Sequence, residues 1–138
     1  MANCQICDCE LNGEPAPSER ADKHLCDCRN CGRYFLHGRL GVGLSELRRA
    51  DPRPAALVSH VIWQMQRNSK TPVEVDQAAW DRWNEQVPIP TPFEQAENLL
   101  LWLASVSIAV GDIRHIDLYY PKAAVGAITS DNFIAVLQ

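Results

Sequence analysis

The sequence predicts a mainly α fold with a small β ribbon at its N-terminus. Three observations carry this. All six cysteines fall within the first 31 of 138 residues. Apolar residues recur at helical spacing from residue 44 onward. A proline-rich stretch, Val87-Pro88-Ile89-Pro90-Thr91-Pro92, then divides the helical part with a stiff, extended linker. With 22% charged and 46% hydrophobic residues, the composition is that of a soluble globular chain. The length suits one compact domain with a small satellite. The longest apolar run, Leu99 to Val110, falls short of the roughly 20 residues that span a bilayer, so no transmembrane helix is expected. The N-terminus, MANCQICDCE, lacks the basic start and apolar core of an export signal. A net charge of −4 argues against coating nucleic acid by bulk charge.

The cysteines are Cys4, Cys7, Cys9, Cys26, Cys28 and Cys31. Clustered thiols without an export signal predict a reduced, cytoplasmic protein whose sulfurs serve a metal and not disulfides. Cys4-Gln-Ile-Cys7 and Cys28-Arg-Asn-Cys31 are CxxC knuckles at the roughly 20-residue separation of a zinc ribbon. Each knuckle aims two thiolates at one point, and two knuckles complete the tetrahedron that Zn²⁺ prefers. Cys4, Cys7, Cys28 and Cys31 are therefore the expected Zn²⁺ ligands. Four protein ligands close the shell, which makes the site structural. Gly32 would let the backbone leave the second knuckle at positive φ. Cys9 and Cys26 sit two residues inward of the knuckles, where they are expected as buried apolar residues, neighbours across the hairpin. A swap ligand or a redox-sensitive pair is the sharper alternative for them. His24 and His37 flank the second knuckle as alternative ligands. A thioredoxin-like dithiol is disfavoured, because no helical pattern follows either knuckle.

Along the chain, residues 1–43 read as zinc ribbon and connector, and 44–138 as a helical domain. Asn12 to Ser18 is a turn-rich loop; 24–26 and 33–37 are strands. Residues 38–43 read as a flexible connector, since their glycines match neither phosphate-loop pattern. A short helix covers 44–51. Asp51 caps the next helix with Pro52 in its first turn, and Val58, Val61, Ile62 and Met65 form its stripe. Asn68 to Pro72 break it. A helix after Asp76 carries Trp80 and Trp83 and ends before Pro88. Thr91 and Glu94 form a capping box around Pro92. It opens a helix striped by Ala96, Leu99, Leu100, Leu103, Ser107 and Val110; with Leu101 and Trp102 added, this helix is expected to be central and buried on several sides. Gly111 stops it. Ile116, Leu118 and Tyr120 alternate as a strand, Ala123 to Ala127 add a helical turn, and Ser130 caps a last helix that runs to Gln138. That helix lacks a stop signal, so the parent protein is expected to continue beyond 138.

The order of parts resembles the N-terminal module of bacterial multidomain proteins, many of them linked to antiphage defence. In that group a CxxC…CxxCG-x-Y ribbon leads into a helical region, and a Thr-Pro…Leu-Leu motif opens a second helical part. The matching residues are Cys4, Cys7, Cys28, Cys31, Gly32 and Tyr34, then Thr91-Pro92 through Glu97, Leu99, Leu100 and Leu103. The resemblance implies a zinc ribbon packed on a helical, winged-helix-like domain. It also implies a recognition or regulatory module joined to a separate effector.

No catalytic set accompanies these parts. His60 and His115 have no HExxH or Gly-x-Ser-x-Gly partners, and acid–base work needs an oriented partner. The four tryptophans, Trp63, Trp80, Trp83 and Trp102, are core candidates. The expected function is a non-catalytic module that binds another protein or the effector domain of its own parent, through Tyr34, Phe35 and a tryptophan. The alternative is a nucleic-acid or phosphate contact through Arg29, Arg33, Arg39, Arg48, Arg49 and Arg53, opposed only by Glu46 and Asp51. A thiol redox or metal-dependent enzyme is the third and weakest reading.

Overall fold

The computed structural model describes residues 2–105 and 122–126. About half of these are helical, and a small four-stranded sheet lies at the N-terminal end. The strands are β1 (Ala16–Pro17), β2 (Lys23–Cys28), β3 (Gly32–His37) and β4 (Val73–Val75), in that spatial order. β2 and β3 form the expected antiparallel hairpin, with Cys28 opposite Gly32 and Cys26 opposite Tyr34. β1 adds to it from within the Asn12–Ser18 loop, a strand too short to leave a period in the sequence.

β4 pairs parallel to β3, with Tyr34 opposite Val73 and Leu36 opposite Val75. The alternation sorts the two faces. Cys26, Tyr34, Leu36, Val73 and Val75 are buried. On the other face Glu74 takes Lys23 Nζ at 2.6 Å and His37 Nε2 at 2.8 Å, and the Lys23 ammonium lies 4.3 Å from the Phe35 ring centroid. Burial works against the Glu74 charge, but the hydrogen bonds from Lys23 and His37 hold its carboxyl below the usual carboxylate range.

A parallel pair requires a crossover, and three helices supply it. They are α1 (Gly38–Gly41), α2 (Leu44–Ala50) and α3 (Arg53–Asn68). Residues 38–43 are thus not a loose connector: they include a helical turn that buries Leu40. Asp51 is extended and its carboxylate accepts the Arg53 N–H at 3.2 Å, which is the capping role expected of it. α3 buries Val58, Val61 and Ile62, but Met65 is exposed, because the stripe turns outward in the last turn.

α4 (Gln77–Gln86) starts at Asp76, whose carboxylate accepts the Ala79 N–H at 2.7 Å, and buries Trp80 and Trp83. One apolar cluster runs from Cys4 to Trp83, joining knuckles, sheet and α3–α4.

α5 (Pro92–Ser105) begins at Thr91, whose hydroxyl oxygen accepts the Glu94 N–H at 3.2 Å. This helix is not central. Leu99 is buried, but Phe93, Leu100 and Leu101 are 72%, 67% and 49% exposed. Hydrophobicity alone does not say which of these side chains the fold covers. The buried α6 (Lys122–Val125) is the expected helical turn. Ser107, Val110 and Gly111, the 116–120 strand, His115 and the 130–138 helix lie outside the described residues.

The α6 backbone is held by side chains from three elements. Asn30 Oδ1 accepts the Ala123 N–H at 2.9 Å, and His60 Nδ1 lies 2.6 Å from the Ala123 carbonyl. Asn98 donates to the Val125 carbonyl and Gln95 to the Gly126 carbonyl, both at 3.2 Å. Asn30, His60 and Gln95 are all buried.

Burial lowers the His60 pKa, against the opposing pull of its bond to Ala123 and the charge of Glu94. A depressed histidine stabilises the fold fully above its unfolded value of about 6.5. That contribution is lost as pH falls through the folded value. His60→Asn keeps a donor near the Nδ1 position and removes the titration. The urea midpoint of the wild type should therefore drop more between pH 7.5 and pH 5.5 than that of His60→Asn; equal drops would remove His60 from the pH response.

Candidate metal centre

The Sγ atoms of Cys4, Cys7, Cys28 and Cys31 all lie within 4.8 Å of one another. Local backbone geometry brings them there. The first knuckle closes through Cys4 N–H to the Cys9 carbonyl at 2.7 Å and Asp8 N–H to the Cys4 carbonyl at 2.8 Å. Asp8 turns the chain at φ 65°, a left-handed conformation that aspartate tolerates better than most residues. Gly32 does the same after the second knuckle at φ 108°, as its position in the sequence required. A Cβ there would also sit 2.9 Å from Gln66 Cγ. Leu11 bridges to Cys28 and Asn12 N–H bonds the Asp27 carbonyl, so the exit of one knuckle is laid along the entry of the other.

Sulfur separations are 3.9 Å for Cys4–Cys31 and 3.5 Å for Cys7–Cys28. All six cysteines are free thiols, and these separations are far from a disulfide bond of about 2.05 Å. A tetrahedron with metal–sulfur bonds of about 2.3 Å has edges of about 3.8 Å, so the four sulfurs fit a tetrahedral metal such as zinc.

Two hydroxyls that reach the sulfurs leave no signal in the sequence. Tyr34 Oη lies 3.0 Å from Cys4 Sγ, and Ser59 Oγ lies 3.0 Å from Cys31 Sγ. Once the sulfurs are thiolates, both hydroxyls donate. The Cys31 N–H also points at Cys28 Sγ, 3.5 Å away. Tyr34 and Ser59 are buried. Serine in a helix, 28 residues from its sulfur, leaves no motif. Tyr34 is core and cannot serve in an exposed contact face.

Burial pushes the Cys4 and Cys31 thiols up. Hydrogen bonds from Cys28, Cys31, Cys4 and Cys9 pull Cys7 down. A divalent ion among the sulfurs would stabilise all four as thiolates.

Cys9 and Cys26 are buried, as expected, and stand outside the four-sulfur group. Cys9 is raised chiefly by its hydrogen bond to Cys7, and Cys26 by burial. His37 is engaged by Glu74, and neither it nor His24 joins the four sulfurs.

The arginines serve several places. Arg29 Nε donates to Asn12 Oδ1 at 2.8 Å. Arg48 donates to the Gln5 carbonyl and lies 3.4 Å from Asp8, which braces the first knuckle. Arg53 pairs with Asp51 at 3.2 Å. Arg39 borders a hollow shared with Asp22 and Asp76. Arg33 and Arg49 are exposed.

Removing either hydroxyl should weaken the metal without removing a ligand. Ser59→Ala and Tyr34→Phe should each lower zinc affinity about 10-fold or more in a chelator competition. Unchanged affinity would make these contacts incidental. A structural metal contributes on the order of 10 kcal/mol to folding. Cys28→Ser should therefore unfold the N-terminal part, whereas Cys9→Ser should be mild; equal damage would mean a different ligand set.

Compared with family models, curated proteins and solved structures, the chain has no significant match.

Proposed function

We propose that this chain is a non-catalytic zinc-binding recognition module, the N-terminal regulatory part of a larger bacterial defence protein. The carrying observation is the closed group of four cysteine sulfurs. Tetrahedral all-thiolate donors suit zinc, and four protein ligands leave no position for water or substrate. The ion acts as a clamp: it joins the two knuckles into a zinc ribbon, and the ribbon shares its core with α3 and α4.

The role is supported by the resemblance to defence-associated proteins and by exposed apolar side chains on α5. Phe93, Leu100 and Leu101 stand exposed on α5, with Glu94 and Glu97 on the same helix. This face suits contact with the effector domain of the parent or with another protein, where aromatic and aliphatic anchors supply most of the binding energy.

Two measurements test the reading. Native mass spectrometry of gently purified protein should show one zinc per chain. In a bacterium carrying the parent gene, Cys28→Ser and the double variant Leu100→Glu/Leu101→Glu should each reduce protection against phage at least about tenfold in plating efficiency, the loss expected when a hot-spot pair is broken. Full protection by Cys28→Ser, or purified protein with its sulfurs bridged and no metal, would refute it.

A further inference from the structure

Of the six arginines that cluster in the sequence, Arg29 meets a cation from outside that cluster, Arg67. Beside the second knuckle lies a hollow of about 360 Å³, bordered by Arg29, Gly32, Trp63, Gln66, Arg67 and Leu101, among other residues. Arg29 comes from the knuckle and has its Nε fixed by Asn12. Arg67 comes from the last turn of α3, with its guanidinium carbon 5.6 Å from the Trp63 ring centroid. Gln66 fixes the wall between them: its side-chain oxygen accepts the Arg33 backbone N–H at 3.1 Å and its amide donates to the Thr71 carbonyl. Among the described lining residues none is acidic. In a chain of net charge −4, this is a local reversal of sign.

We infer that this corner binds single-stranded nucleic acid, with phosphates on Arg29 and Arg67 and a base against Trp63 and Leu101. The chemistry is that of a stacking platform in a basic groove. Guanidinium groups take phosphate oxygens in a planar fork, and an aromatic ring accepts any base by its face. Half-buried Trp63 and exposed Leu101 supply the apolar wall. Duplex nucleic acid would not offer its bases to that wall. The inference deepens the recognition reading above and rests on it for the clamped knuckle that carries Arg29.

The test is fluorescence anisotropy of labelled oligo-dT and oligo-U eight nucleotides long, with the zinc content of the same protein measured in parallel. Binding is expected at protein concentrations on the order of 10 μM in low salt. Two phosphate contacts at about 0.7 each give a log–log salt slope near −1.4, so affinity should fall about sevenfold between 50 and 200 mM salt. Arg67→Gln and Trp63→Leu should each weaken binding about tenfold. Arg49→Gln, on the exposed side of α2, should change it less than about twofold, because it removes equal charge elsewhere. Zinc-loaded protein that does not bind in low salt overturns the inference and leaves the metal centre standing. Arg67-dependent binding by protein that carries no zinc overturns the metal reading and, with it, the clamped knuckle on which the inference stands. Equal weakening by Arg49→Gln, or competition by an oligo-glutamate of the same length as strong as by the oligonucleotide, also overturns the inference.

Discussion

Four sulfurs within 4.8 Å of one another, three of them buried, cannot all carry charge unless something positive sits among them. Around this constraint the N-terminal half is arranged. The two knuckles are laid against each other by strand bridges, not by their own turns alone. Arg48 fixes the first from α2, and Gln66 packs over the second from α3. Hydroxyls from β3 and α3 reach the sulfurs. A metal here would be bonded to cysteines but oriented by helices, so the cluster and the helical layer form one cooperative unit.

The same logic extends to α6. Its backbone lies in a polar cradle with no apolar substitute for those bonds. Such groups are costly to bury without partners, so Asn30, His60, Gln95 and Asn98 fix where this turn can sit. Because Asn30 belongs to the second knuckle and His60 follows Ser59 on α3, the cradle and the sulfur cluster share their supporting elements.

The strongest local signals in the sequence were read correctly. The CxxC pairs, the Asp51, Asp76 and Thr91 caps, and the β2–β3 hairpin are contacts between residues close in sequence or fixed by spacing, and each recurs in the structure. Long-range contacts left no trace. β4 has only three residues and is defined by its neighbour β3. Ser59 and Tyr34 find their sulfurs through packing. The apolar richness of α5 suggested a central helix, but hydropathy reports what could be buried and not what the fold has room to cover. The clustered arginines lie on several elements, and Arg67, far from them in sequence, borders the same hollow as Arg29 from the end of α3.

The bond between Asn30 and Ala123 spans 93 residues. During synthesis all four sulfurs emerge long before Ala123 does. An ion held by these sulfurs could therefore be captured by a nascent chain whose Asn30 carboxamide is still hydrated, and α6 would then dock onto knuckles that are already joined. Assembly then runs from a local, metal-fast step to a late, high-contact-order one. A ribosome pausing between α5 and α6 would hold a clamped chain with its cradle open.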